Sequence, residues 1–503
     1  MTDVLFTGVL VYGAETISTP TDVLVRGQRI AAIGDGLVAP PGARVINGRG
    51  HHLLAPGLVN AHFHSPANHL KGMLPSLPLE LFMLYESPAD EALRPSPREA
   101  YLRTMLGALE MLRTGTTSVQ DDAFVMPAPE PDIIDAIMSA YADAGIRATV
   151  ALDQPELPEA DKLPFLAELA GPELAAAIHA PAPMGRTELL GRYDHLFRTW
   201  HGAADGRLRG AVSVSAPQRV SPEYFAALAE LGERHDVPMF VHMLETKVQR
   251  VLATEQPRFA GRSLVRYTAD LGLLTERTNV IHAVWVDGAD LDLIAEAGAT
   301  VAHNPVSNLR LGSGIMPFRE IRRRGIPIGL GVDEAICNDA VDMWSVVRAA
   351  GLVHNVTGLD SDLWPSAAEV LDCLWSGGAR AMGQADELGA VEAGRLADLV
   401  LIDLHAPAFT PLNDIRGQLV YCESGGSVRL TMVDGRVVAE AGQVSTVDED
   451  ALLAEARELF AARQPALREA HAGAERFRPA YEEMVRRAAR REVGLNRWAG
   501  GRA

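Results

Sequence analysis

The chain has 503 residues, enough for a large core and more than one structural unit. Hydrophobic residues make up 48% and charged residues 22%, as in an ordinary soluble globular protein. With 46 Lys and Arg against 65 Asp and Glu, the net charge is −19. That excludes the basic surface that a nucleic acid or an anionic membrane would reward.

The first residues, Met1-Thr2-Asp3-Val4-Leu5, show no basic segment followed by an apolar stretch, so no signal peptide is expected. No apolar run reaches membrane-spanning length. Residues 4–11, 22–26 and 30–33 read as short strands broken by Gly13, Gly27 and Gly34. A similar texture returns at 399–402, 428–433 and 436–438, around the turn Asp434-Gly435. Two β-rich ends flanking a long middle predict one small composite β-sandwich domain, from residues 1–55 and 385–445.

The middle, 56–384, alternates strand and helix. An apolar strand ends in His62-Phe63-His64, and side chains two apart on a strand share a face. Both imidazoles can therefore reach one point, which suits zinc or iron, although two structural histidines would read the same way. Further strands are expected at 117–119, 148–152, 210–214, 239–242, 279–282, 300–303 and 328–333. Eight alternations predict an α/β fold, a (β/α)8 TIM-type barrel. Its later strands end in His242, His282, His303 and Asp333, and such ends converge on one mouth. The insertion 65–97 follows the first strand and is the expected lid. It carries His69, Lys71, Glu80, Phe82, Tyr85 and Glu86, and an aromatic there could stack on a flat heterocycle or pack the loop's own core. Residues 446–503 read as a helical C-terminal extension whose basic end, with Arg486, Arg487, Arg490 and Arg491, is a solvated face or packing arm. Three scattered cysteines, Cys337, Cys373 and Cys422, lack metal-type spacing and suit a reducing cytoplasm. There is no Gly-x-Ser-x-Gly elbow, P-loop or dinucleotide fingerprint after a strand.

Pro56-Gly57-Leu58-Val59-Asn60-Ala61-His62-Phe63-His64 resembles the opening motif of the amidohydrolase superfamily. His242-Met243-Leu244-Glu245-Thr246, His282-Ala283-Val284-Trp285, His303-Asn304-Pro305-Val306-Ser307-Asn308-Leu309 and Gly331-Val332-Asp333 resemble successive motifs of one branch. That branch holds triazine hydrolases and S-adenosylhomocysteine, methylthioadenosine and guanine deaminases. Gly394-Arg395-Leu396-Ala397-Asp398-Leu399-Val400 resembles the C-terminal β signature, so the resemblance spans residues 3–440 in order.

The resemblance implies one divalent metal ion, held by His62, His64, His242 and Asp333, with zinc expected and iron(II) the alternative. A second metal would need a carboxylated Lys on the fourth strand, which has none; Lys162 and Lys247 fall in helical contexts. Glu245 is expected to shuttle protons, Asp333 to take one from water, and His282 to orient water or substrate. His303 is expected in a supporting, substrate-side hydrogen bond, while Asn304 and Asn308 shape the loop.

Two positions depart from the relatives. Ser215 stands where adenosine-type members carry a substrate-contacting His, so Gln218 and Arg219 could contact substrate instead or lie in solvent. Glu334 stands where many relatives have Gly, and could either favour an amino, amidine or guanidine-like group or point away from the mouth. The expected activity is metal-dependent hydrolysis of a non-peptide C–N bond, as an aminohydrolase of a purine, pyrimidine, pterin or triazine. A chlorohydrolase or cyclic-amide hydrolase on the same site is the near alternative, and an inactive scaffold the distant one. The expected partner is a small molecule, in a cytoplasmic homodimer or homotetramer.

Overall fold

A computed structural model describes residues 2–88 and 90–499. Met1, Ala89 of the expected lid and the last four residues of the expected extension lie outside the described residues.

Eight parallel strands alternate with helices in the middle of the chain. Leu58–Phe63, Thr116–Ala123, Arg147–Leu152 and Leu208–Gly210 pair in order. The fourth strand breaks at Ala211, whose N–H donates to Val150 O at 2.8 Å, and resumes as Val212–Ser215. Met239–Met243, Thr278–His282, Thr300–His303 and Ile328–Leu330 then follow. The ring closes where Phe63 bridges Asp333: Asp333 N–H donates to His62 O at 3.0 Å, and His64 N–H to Asp333 O at 2.8 Å. This is a (β/α)8 barrel. Its first, fifth and sixth strands are buried along their whole length. Ala151, Ala211, Phe240, Ile281 and Ala302 form one small buried cluster across five consecutive strands, as side chains inside a barrel do.

The chain ends build a second sheet of nine strands among the described residues. It runs from Gln443–Val444 through Leu399–Asp403 and His52–Pro56 to Val4–Val11, Thr21–Arg26 and Arg29–Gly34. Val4, Phe6, Val23 and Ile30 from one end share a core with Leu399, Leu401, Leu430 and Met432 from the other. A buried ion triad ties this sheet to the barrel. Arg147, opening the third barrel strand, meets Asp398 at 2.8 Å and Asp434 at 3.1 Å.

The C-terminal helices Glu449–Ala474 and Arg478–Arg490 fold back over the barrel mouth. They pack on the lid helix Leu79–Glu86, where Tyr85 Oη donates to Glu475 at 2.8 Å and His471 Nε2 donates to Tyr85 O at 2.8 Å. Further on, Trp498 donates its ring N–H to Gly312 O and lies edge-on to Trp285, centroids 4.9 Å apart. Among the described residues no helix is long and apolar enough to cross a membrane.

Candidate metal centre and active site

The strand ends bring the sequence-selected residues to one place. The His62, His64 and His242 ring centroids lie 4.6, 4.9 and 5.4 Å apart in pairs. Asp333 Oδ1 is 3.2 Å from His62 Nε2 and 3.6 Å from His64 Nε2. His282 follows, its ring 5.8 Å from His62 and 5.5 Å from His242. The backbone turns left-handed where these strands stop, at Ser215 (φ 62°), His282 (φ 74°) and Asp333 (φ 71°). Each such residue costs about 1–3 kcal/mol, strain that collects at functional sites. Gly331 permits the closure: a Cβ there would lie 2.4 Å from Asn304 Oδ1 and 3.0 Å from His62 N.

Backbone carbonyls aim the rings. His64 Nδ1 donates to Asp122 O, and His242 Nδ1 donates to Ser215 O at 2.9 Å. Both rings therefore present Nε2 with a free lone pair, the form in which a second partner fixes a metal-ligating His. Burial also pushes the His62 and His242 imidazoles below their ordinary pKa, which keeps them neutral. His62 Nε2 is buried without a hydrogen-bond partner, a cost of about 1–3 kcal/mol that a bound cation would offset. Burial alone would raise the Asp333 carboxyl, but the His62 imidazole 3.2 Å away and the other imidazoles around it hold it well below the usual range. Three imidazoles and a carboxylate thus fit one divalent cation.

Glu245 and His282 sit beside this set. Burial, then the charge of Asp333, raises the Glu245 carboxyl well above its ordinary value. Ser313 Oγ donates to Glu245 Oε1 at 3.3 Å, and Oε2 lies 3.5 Å from His282 Nε2. The side-chain amides of Asn308 and Asn304 donate to His282 Nδ1 at 3.0 and 3.3 Å. With those amides on Nδ1 the His282 proton sits on Nε2, 3.5 Å from Glu245 and 3.8 Å from Asp333, and His282 also lies close enough to His62 and His242 to share one ion with them. Burial lowers its pKa to about 3. Sequence reasoning gave the two asparagines to the loop and missed this contact.

The three expected substrate contacts separate. Glu334 lines a cavity of about 30 Å³ directly above the centre, with Glu86, Asp153 and Arg219. Gln218 is buried rather than solvent-exposed, its Oε1 unpartnered, and lines an outer chamber of about 650 Å³. His303 is not among the residues lining either space, and its Nε2 meets His354 Nε2 at 3.2 Å. The two spaces share Leu79, Met83, Phe124 and Arg219, where Arg219 donates to Met83 Sδ and Ser215 Oγ. The C-terminal helices supply Ala470, Ala474, Phe477 and Tyr481 to the outer wall. Neither lid aromatic lines the inner cavity: Phe82 and Tyr85 pack into a core with Leu467 and Ala474.

The second strand also contributes residues that the sequence did not single out. Expected to stop at 119, it continues to Ala123, and Asp122 orients His64 while Asp121 accepts the N–H of Ser65 at 2.9 Å. Asp153, just past the third strand, is a buried carboxylate whose Oδ1 has no partner. Carboxylates inside a predicted apolar strand read as loop, which hid them.

The sequence model of the Amidohydrolase family matches residues 53–438. A 5'-deoxyadenosine deaminase from Methanothermobacter thermautotrophicus is 30% identical over 427 residues, covering 85% of this chain and 91% of that protein. A 5-methylthioadenosine/S-adenosylhomocysteine deaminase from Nitratidesulfovibrio vulgaris is 34% identical over 450 residues, 88% of this chain and 92% of that one. The crystal structure of a zinc-bound adenosine deaminase from Xanthomonas campestris superposes with a TM-score of 0.79 at 28% identity, covering 93% and 99% of the two chains.

Proposed function

This chain belongs to the amidohydrolase family, and from that membership we propose that it is a zinc-dependent aminohydrolase removing an amino group from a purine-type heterocycle. The observation that carries the reading is the unpartnered His62 Nε2 among His64, His242 and Asp333, with Glu245, its carboxyl raised well above the ordinary range, alongside. The deaminase relatives support the substrate type.

A divalent cation on these donors supplies a Lewis acid that makes water nucleophilic near neutral pH. Glu245, its carboxyl raised well above the ordinary range, sits next to the centre and donates a proton to a ring nitrogen as water adds to the adjacent carbon. The carboxylate left on Glu245 then collects a water proton and passes it to the departing amine. Asp333, kept ionised, accepts the remaining water proton. His282 directs Nε2–H at the newly added oxygen, and its asparagine partners keep that proton in place. The lid and C-terminal helices cover the mouth, which strengthens each of these interactions by excluding water.

The test is an ammonia-release screen of zinc-reconstituted protein against adenosine, 5'-deoxyadenosine, methylthioadenosine, S-adenosylhomocysteine and guanine. Ammonia from at least one supports the reading. Halide without ammonia from a chlorinated triazine would replace it by a chlorohydrolase. Unpaired Cys337, Cys373 and Cys422 suit a reducing cytoplasm, and a homodimer or homotetramer is the assembly that light scattering would check.

A further inference from the structure

The sheet built from the chain ends carries a second group of metal-type side chains, none of which belongs to the active site. His51 and His52 stand at the start of the strand His52–Pro56, and Asp403 ends the antiparallel strand Leu399–Asp403. His52 and Asp403 are directly opposite in that pairing, and Leu404 N–H donates to His51 O at 3.0 Å. One donor atom from each of the three side chains lies within 4.8 Å of the others. His51 Nε2 is 3.9 Å from Asp403 Oδ1. Donors around a tetrahedral zinc ion lie about 3.3–3.6 Å apart, so a small side-chain shift closes that pair.

The surroundings aim these side chains. His52 Nδ1 donates to Gly48 O at 2.9 Å and His51 Nδ1 to Arg49 O at 3.2 Å, which leaves Nε2 of each ring with a free lone pair. Backbone carbonyls fix His64 and His242 in the same way. The rings of His51 and His52 have centroids 4.6 Å apart, as do those of His62 and His64. His405 stacks face to face on His51, centroids 3.7 Å apart, and holds the plane of that ring. Asp403 Oδ2 accepts from Arg429 at 2.8 Å and Oδ1 accepts the N–H of His405 at 2.9 Å, so the carboxylate is held while Oδ1 keeps a lone pair for an ion. The His51 and Asp403 side chains keep 21% and 15% of their surface exposed, which gives an ion a way in from solvent.

We propose that His51, His52 and Asp403 bind a second divalent ion of the zinc type, with water in the open position, and that this ion clamps one end of the chain to the other. Two imidazoles and a carboxylate suit zinc, whereas magnesium prefers oxygen donors. The histidines come from the N-terminal part of the composite sheet and Asp403 from its C-terminal part, so one ion joins the two. The site shares no residue with the barrel centre and stands whether or not the protein is an aminohydrolase.

The test titrates chelator-stripped full-length protein with zinc in calorimetry. The wild type is expected to take two equivalents, the second at least about tenfold weaker, since three donors near the surface hold an ion less firmly than four buried ones. His51→Ala and His52→Ala should each lose only the weaker equivalent, and His242→Ala only the tight one. Magnesium should give no binding at the weaker site. A single equivalent in the wild type would overturn the proposal, as would a weaker equivalent that survives both His51→Ala and His52→Ala. The clamp is read separately in His242→Ala, where the barrel ion is gone. Zinc should raise the thermal midpoint of that variant by at least about 2 °C, and adding His52→Ala should abolish the rise. No rise, or a rise that His52→Ala leaves intact, would overturn the clamp.

Discussion

His62, His64, His242 and Asp333 converge from three regions of the barrel. We expect His242→Ala and Asp333→Ala to lose bound zinc and turnover together; full activity in either variant would overturn the donor set. Glu245 differs because its proposed task is to move protons rather than to hold the cation. Glu245→Gln should keep its zinc and lose about 10²–10⁴-fold in kcat, the usual worth of a general acid. The asparagines act one step further out. Replacing Asn304 and Asn308 together by Ala frees the His282 ring to change tautomer, and should cost about 10–100-fold in kcat at unchanged zinc content. A double variant with wild-type kcat would show that His282 needs no such support. The histidines were legible because each ends a strand within a motif. Asp153, Asp122 and the asparagine amides were not, since their relevance depends on where a strand stops and which way a loop turns.

Among elements, the lid helix Leu79–Glu86 and the C-terminal helices behave as one cover. Glu80 accepts from Thr246 at 2.6 Å, and Tyr85 binds the extension twice, through its hydroxyl and its carbonyl. Phe477, on the outer wall, should sense substituent size. Phe477→Ala is expected to raise KM about tenfold for a substrate with a bulky apolar group, the worth of a buried aromatic face, and to leave a small one unchanged. Equal KM changes for both would remove the extension from the substrate chamber. The periodicity of 446–503 announced helices but not their position, because an amphipathic face does not name what it covers. Elsewhere, Arg319 on helix Phe318–Arg323 clasps Glu369 on helix Ala367–Asp372 at 2.6 and 3.0 Å. Burial alone would raise the Glu369 carboxyl, but Arg319 and Ser366 pull it down to about 2. A depressed acid contributes stability above its unfolded pKa, and that contribution fades as the pH falls from 4.5 toward about 2. Solvent screens this pair, so Glu369→Gln should cost about 0.5–1 kcal/mol at pH 7 and clearly less at pH 2 in urea unfolding. A pH-independent cost would assign the loss to packing.

For the whole molecule, the question is what joins the barrel to the sheet built from the chain ends. The buried Arg147–Asp398–Asp434 triad spans that junction, and Asp398 also accepts the N–H of Asp434 at 2.8 Å. Arg147→Met leaves two carboxylates buried and unpaired, so we expect a loss of about 3–5 kcal/mol in denaturant unfolding. A cost below about 1 kcal/mol would show that water reaches the junction. The Gly394–Val400 signature gains a physical meaning here, since Asp398 serves the architecture rather than the chemistry. By itself, the sequence determined the alternation of strand and helix, the β-rich ends and the order of the strand-end ligands, because apolar periodicity and motif spacing are local properties. Only the tertiary structure decided that the extension roofs the mouth, that His303 turns to His354, and that Asp153, Glu86 and Glu334 share one wall. These are meetings between distant segments, and they depend on barrel closure and burial, which no local pattern encodes.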